Sequence, residues 1–206
     1  MTGRPFTLES RGGERVSDDD GAVAAPSSSF APSIPRAGAA PIHRILGIDP
    51  GTLRLGYGVV DSAGGAQLRY VECGVITASP RAPRGARLVE IARGLRELVA
   101  ELRPHSVAME EAFAGKNVQS ALALGEARGM ALLVVGEADL AVAGYPPATV
   151  KKNVVGHGRA TKDQIAYLVR ATLKLRRAPS SDAADALAIA ICHARCGWAG
   201  ERSRAR

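Results

Sequence analysis

No stretch of the sequence approaches the roughly 20 consecutive apolar residues that a bilayer-spanning helix needs. The N-terminus also lacks the apolar core of a secretory signal, because its first apolar cluster is broken by Ser, Asp and Pro. A soluble, cytoplasmic protein without membrane contact is the expectation. Cysteine is scarce and odd in number: Cys73, Cys192 and Cys196. Three thiols give no disulfide framework and match no zinc spacing. Cys192 and His193 lie in the apolar run ALAIAICHA, with Cys196 just beyond it, where buried free thiols on a helix are the common arrangement and a zinc site lacks its ligands.

The 206 residues suffice for one domain of ordinary size, and 46% hydrophobic residues suffice for its core. Formal charge is +7; the first 41 residues carry four Arg against two Glu and three Asp, so the remainder carries +8. A basic excess on the folded part attracts polyanions and speeds their encounter, although a solvated basic surface alone would look the same. Residues 1–41 are rich in Gly, Ser, Ala and Pro and hold no apolar period. They are read as a disordered extension, 42–196 as the folded domain, and 197–206 as a basic tail.

Order begins abruptly in the sequence. ILGID (45–49) is a short apolar run stopped by Pro-Gly, as a buried strand should be. GYGVVD (56–61) reads as a second strand, Gly64-Gly65 as a tight turn, and 66–76 as a third strand. Apolar residues at 88, 91, 92, 95, 98, 99 and 102 have helical spacing, with Pro104 beyond the end. A buried strand at 106–109 runs into Glu110-Glu111. A long helix over 117–137, a short strand at 141–144 and helices at 147–155, 162–174 and 181–195 complete the reading, and no repeat is apparent. This order predicts an α/β fold with a mixed five-stranded sheet and helices on both faces.

Four acids occupy awkward positions. Asp49 and Glu110 each end an apolar strand, where an unpartnered carboxylate is costly. If those strands are sheet neighbours, both acids emerge at one sheet end. Asp182 and Asp185 are three apart in SDAADA and share one face of a helix. Converging carboxylates repel one another unless divalent cations neutralise them, and hard Mg²⁺ favours oxygen ligands. Taken singly, Asp49 also fits a turn, Glu110 a solvent-facing strand end, and Asp182 and Asp185 a helix cap.

Four segments together resemble the RuvC family of Holliday-junction resolvases: ILGIDPGTLRLGYGVV (45–60), VAMEEAFAGKNVQSALALGEARG (107–129), VKKNVVGHGRATKDQI (150–165) and SDAADALAIAICHA (181–194). They run in the family's order at family-like spacing, over about residues 44–195. The resemblance implies an RNase H-like fold and a homodimer that cuts four-way junction DNA symmetrically. It also implies two Mg²⁺ ions per subunit, with Mn²⁺ as a substitute, and work beside a branch-migration complex of the RuvA and RuvB type.

By the same resemblance Asp49, Glu110, Asp182 and Asp185 stand at the catalytic, metal-binding positions. Phe113 stands where an aromatic stacks on a base near the cut. Lys151 and Lys162 stand where lysines touch DNA, and Lys116, Lys152, Arg159 and Arg128 could add phosphate contacts. The helix over 117–137, with Ala121, Gly125 and Gly129 near one side, resembles the dimer-interface element. The first 41 residues and the Arg-rich tail depart from the family pattern. An actin-like ATPase opening is a rival reading, but the chain lacks room for a second lobe. A junction-binding module without activity is another, as is a relative that processes structured RNA.

Overall fold

A computed structural model describes residues 41–63, 67–111 and 117–196. Its elements follow the expected order: β1 (His43–Asp49), β2 (Arg54–Ser62), β3 (Leu68–Thr77), α1 (Arg84–Leu102), β4 (Ser106–Glu110), α2 (Val118–Glu137), β5 (Ala141–Tyr145), α3 (Pro147–Val155), α4 (Lys162–Leu173) and α5 (Ser181–Cys196). The strands form one sheet in the order β3-β2-β1-β4-β5. β1–β2 and β2–β3 are antiparallel, whereas β1–β4 and β4–β5 are parallel. The sheet is therefore mixed and five-stranded. The Gly64-Gly65 turn lies outside the described residues.

Side chains alternate across a strand, and here the alternation divides the core in two. Leu46, Ile48, Leu55, Tyr57, Val107 and Met109 face α1 and α2. Ile45, Val60 and Ala108 face α3, α4 and α5. α1 and α2 lie side by side and are tied by two ion pairs, Arg84–Glu126 at 3.1 Å and Arg96–Glu137 at 2.8 Å. α4 opens on a capping box, in which the Thr161 hydroxyl accepts from Gln164 N–H and the Gln164 side chain accepts from Thr161 N–H.

α5 is the centrepiece of the second layer. All twelve positions from Ala183 to Ala194 except Asp185 are buried, which leaves no polar stripe along it. A helix apolar on all sides belongs inside a protein, and α5 lies between the sheet and α3 and α4. Its fully buried Leu187, Ile189 and Ile191 each stabilise the fold by about 1.5–3 kcal/mol.

α2 differs from expectation in one respect. By length and apolar content alone it is sufficient to cross a bilayer, a property that a search for uninterrupted apolar runs passes over because Glu126 and Arg128 interrupt it. In the fold it rests Ala127, Ala131, Val134 and Val135 on the core and leaves Val118, Leu122 and Leu133 exposed.

Candidate active site

Strand pairing brings the first two acids together. β1 and β4 run parallel with Ile48 opposite Met109, so Asp49 and Glu110 follow at the same sheet end. Asp49 alternates with Gly47 and Ile45, and Glu110 with Ala108, which puts both acids on the face that α5 covers.

Three glycines let α5 come close enough to add its own acids. A methyl group on Gly47 would lie 2.1 Å from the Ala186 carbonyl oxygen, one on Gly58 2.7 Å from the Leu187 nitrogen, and one on Gly56 2.2 Å from the Asp182 carbonyl oxygen. The helix backbone thus rests directly on β1 and β2. Asp49 pairs across the sheet with Gly56, so the residue beneath Asp182 is the residue beside Asp49. Asp182 lies within the first turn of α5 and accepts a hydrogen bond from Arg54 Nε at 2.7 Å. That ion pair, rather than a helix cap, is its partner.

The acids perturb one another. The Asp49 carboxyl is pushed up to about 7, first by burial and then by the charges of Asp185, Glu110 and Asp182, with Lys162 opposing. Glu110 is raised by burial and by Asp185, against Lys151 and Lys162. The Lys162 ammonium donates to Asp185 Oδ2 at 3.2 Å, and this bond holds its pKa up. Asp49, Glu110, Asp185, Lys151 and Lys162 line a cavity of about 260 Å³ with Ile165 and Val150 among its apolar walls. Asp182, paired with Arg54, stands outside this lining but is near enough for its charge to act on Asp49. An acidic centre with a basic border suits a phosphate backbone presented to water or metal.

The sequence profile described as "Crossover junction endodeoxyribonuclease RuvC" matches residues 45–193. The chain belongs to this family. RuvC of Halorhodospira halophila is 50% identical over 151 residues, covering 73% of this chain and 89% of the relative. RuvC of Chloroflexus aggregans is 49% identical over 152 residues, covering 73% and 92%. Thermus thermophilus RuvC, solved in complex with a Holliday junction substrate, superposes with a TM-score of 0.70 at 39% identity, covering 75% of this chain and 96% of that one. The yeast mitochondrial Holliday junction resolvase shares the fold alone, with a TM-score of 0.54 at 14% identity. The fold is RNase H-like, as the resemblance implied.

Within this RuvC fold the four predicted acids come from three separate regions of chain and meet at one sheet end. Lys151 and Lys162 reach the cavity. Lys152, on α3, and Arg159, before α4, are exposed and outside its lining. Arg128 reaches the Glu110 carbonyl oxygen from α2 and so braces the end of β4, which is a different use from the phosphate contact considered above. Phe113 and Lys116 lie outside the described residues. Arg54 was missed by the sequence reading; its only signal was a basic residue five positions after Asp49, across the Pro-Gly turn.

Proposed function

We propose that the chain is a metal-dependent, structure-selective endonuclease that resolves four-way DNA junctions by symmetric cleavage. The observation that carries this reading is the convergence of Asp49, Glu110 and Asp185 in a lysine-bordered cavity, with Asp182 near enough to act on Asp49. It is supported by 39% identity to a RuvC solved with a Holliday junction substrate.

The donor set fits divalent ions by its chemistry. Every candidate ligand is a carboxylate, which suits Mg²⁺ or Mn²⁺ and not a thiolate-seeking metal. Among the described residues no group of three acidic, His or Cys side chains is yet gathered tightly enough to grip an ion. Arg54 and Lys162 hold Asp182 and Asp185 instead. The burial and mutual repulsion felt by Asp49 supply the drive to bind a cation. Asp49, Glu110, Asp182 and Asp185 would hold two ions. When bound, such ions neutralise the phosphodiester and lower the pKa of water.

The chain's own residues do the rest. Lys151 and Lys162 draw the backbone phosphates toward the acids, and the apolar wall limits bulk water. Water oxygen bonds to phosphorus in line as the bond to the 3′ oxygen breaks, leaving a 5′-phosphate and a 3′-hydroxyl. Phe113 is assigned to stacking on a base at the crossover, and Lys116, Lys152 and Arg159 to phosphate contacts farther out. The exposed apolar stripe of α2 is assigned to a homodimer, whose two-fold axis suits two equivalent strands. Association with a RuvA and RuvB type branch-migration complex completes the assignment.

The test is a Mg²⁺ titration on a synthetic four-way junction with wild type and Asp49→Asn. Paired, symmetric nicks are expected from wild type. Asp49→Asn should bind the junction at least as tightly and leave it uncut. Binding without nicks by wild type would make the protein a junction-binding module, and cleavage by Asp49→Asn would remove the metal-site assignment.

A further inference from the structure

The two acids of α5 each hold a cation supplied by the chain itself, and the one on Asp182 belongs to no role described so far. Arg54 Nε lies 2.7 Å from Asp182 Oδ2, in a pair that is open to water, with the arginine side chain 50% and the aspartate 32% exposed.

The pair is built by the backbone and not by chance contact between long side chains. A methyl group on Gly51 would lie 2.2 Å from the Arg54 carbonyl oxygen, so the chain doubles back on itself directly after Asp49 and Pro50. Leu53 is tied to the next strand edge, its carbonyl accepting from Ala78 N–H at 2.9 Å. Arg54 therefore starts β2 in a fixed place, two residues before Gly56, on which the Asp182 backbone rests. The same turn that fixes Asp49 fixes Arg54 against the acid that Asp49 feels.

We propose that Arg54 is a positioning residue that competes with divalent cations for Asp182. With the site empty, its guanidinium holds the Asp182 carboxylate and reduces the repulsion among the four acids. An arriving ion displaces it, and the exposed guanidinium turns outward toward the bordering phosphates. Arg54 thereby sets the threshold of metal needed to assemble the site. This inference rests on the metal-dependent reading above.

The experiment compares wild type, Arg54→Gln and Arg54→Lys by binding of Ca²⁺, which loads oxygen sites without supporting the reaction, measured by calorimetry and by the Ca²⁺-induced rise in melting temperature. Removing a competing charge beside the ions should tighten Ca²⁺ binding by about two- to fivefold, the range set by exposed charge pairs a few ångströms apart. Arg54→Lys should fall between the other two, because a point charge replaces a fixed guanidinium fork. Arg54→Gln should also melt lower than wild type without metal and gain more on its addition. A merely structural Arg54 would lower the melting temperature equally with and without Ca²⁺, and that result overturns the inference. Unchanged or weaker Ca²⁺ binding by Arg54→Gln, with wild type responding normally, overturns it as well. If wild type itself takes up no divalent cation, the metal-dependent reading fails and this inference falls with it.

Discussion

Gly56→Ala is the most direct perturbation of how the site is assembled. The added methyl would sit 2.2 Å from the Asp182 carbonyl oxygen and 2.6 Å from its carbon. Ordinary carbon–oxygen contact begins near 3.3 Å, so the first turn of α5 must retreat by roughly 1 Å or the β2 backbone must sink by as much. The opposing atoms are backbone on both sides, and neither can swing away as a side chain would. Overpacking of this kind costs about 1–3 kcal/mol, and a displacement of about 1 Å at reacting groups costs about a hundredfold in rate. Gly85→Ala is the control, since nothing lies within 4 Å of its added methyl and alanine favours the helix by about 0.5–1 kcal/mol. Urea denaturation gives the first quantity, and cleavage of a synthetic junction under saturating metal gives the second. Gly56→Ala should lose both stability and rate while Gly85→Ala loses neither. Wild-type stability and rate in Gly56→Ala would refute the account in which α5 rests on the glycine backbone.

Two further outcomes follow from the electrostatics and the surface. Because the Asp49 carboxyl lies near 7 when folded and near 3.8 in an ordinary setting, the folded state holds the extra proton between those values. Metal-free stability should therefore fall as pH rises from about 4 to about 7, by ~2 kcal/mol after allowance for screening and by no more than ~4. Urea midpoints across that range should fall more steeply in wild type than in Asp49→Asn, where the raised Glu110 keeps only part of the slope; an equal slope in both would place the titration elsewhere. The exposed stripe of α2 gives the second. Leu122→Glu with Leu133→Glu, residues 55% and 60% exposed, should convert a dimer to a monomer in sedimentation and replace paired cuts by single nicks. Persistence of the dimer would move the interface off α2.

Most of the fold was legible because its elements are locally consistent. The apolar run at 45–49 and the spacing from Leu88 to Leu102 each specify one conformation without help from distant residues. Strand boundaries moved by only one or two residues, at ends where pairing with a neighbour lengthens a strand beyond its apolar run. The acids at strand ends were visible for the same reason, since a charge closing a buried run is conspicuous.

What could not be read was anything that depends on two distant segments touching. Gly47, Gly56 and Gly58 look like ordinary strand glycines until α5 is laid across them. Arg54 and Asp182 are 128 positions apart, and nothing local in either announces the other. His193 appeared beside two cysteines in an apolar run, yet in the fold it joins Ser106, at 3.0 Å from Nε2, to Tyr145, at 2.8 Å from Nδ1. Its polarity is satisfied across three elements, which is why an imidazole is tolerated there.

α5 is both the middle of the second core layer and the last described element in chain order. During synthesis the five strands and the first four helices leave the ribosome before it, and they do so without the layer that covers one face of their sheet. The nascent chain must wait, with Ile45, Val60 and Ala108 uncovered, until residues 181–196 arrive. The same arrival delivers Asp182 and Asp185. A chain halted earlier thus lacks two of the four carboxylates proposed to hold metal and one layer of its interior together.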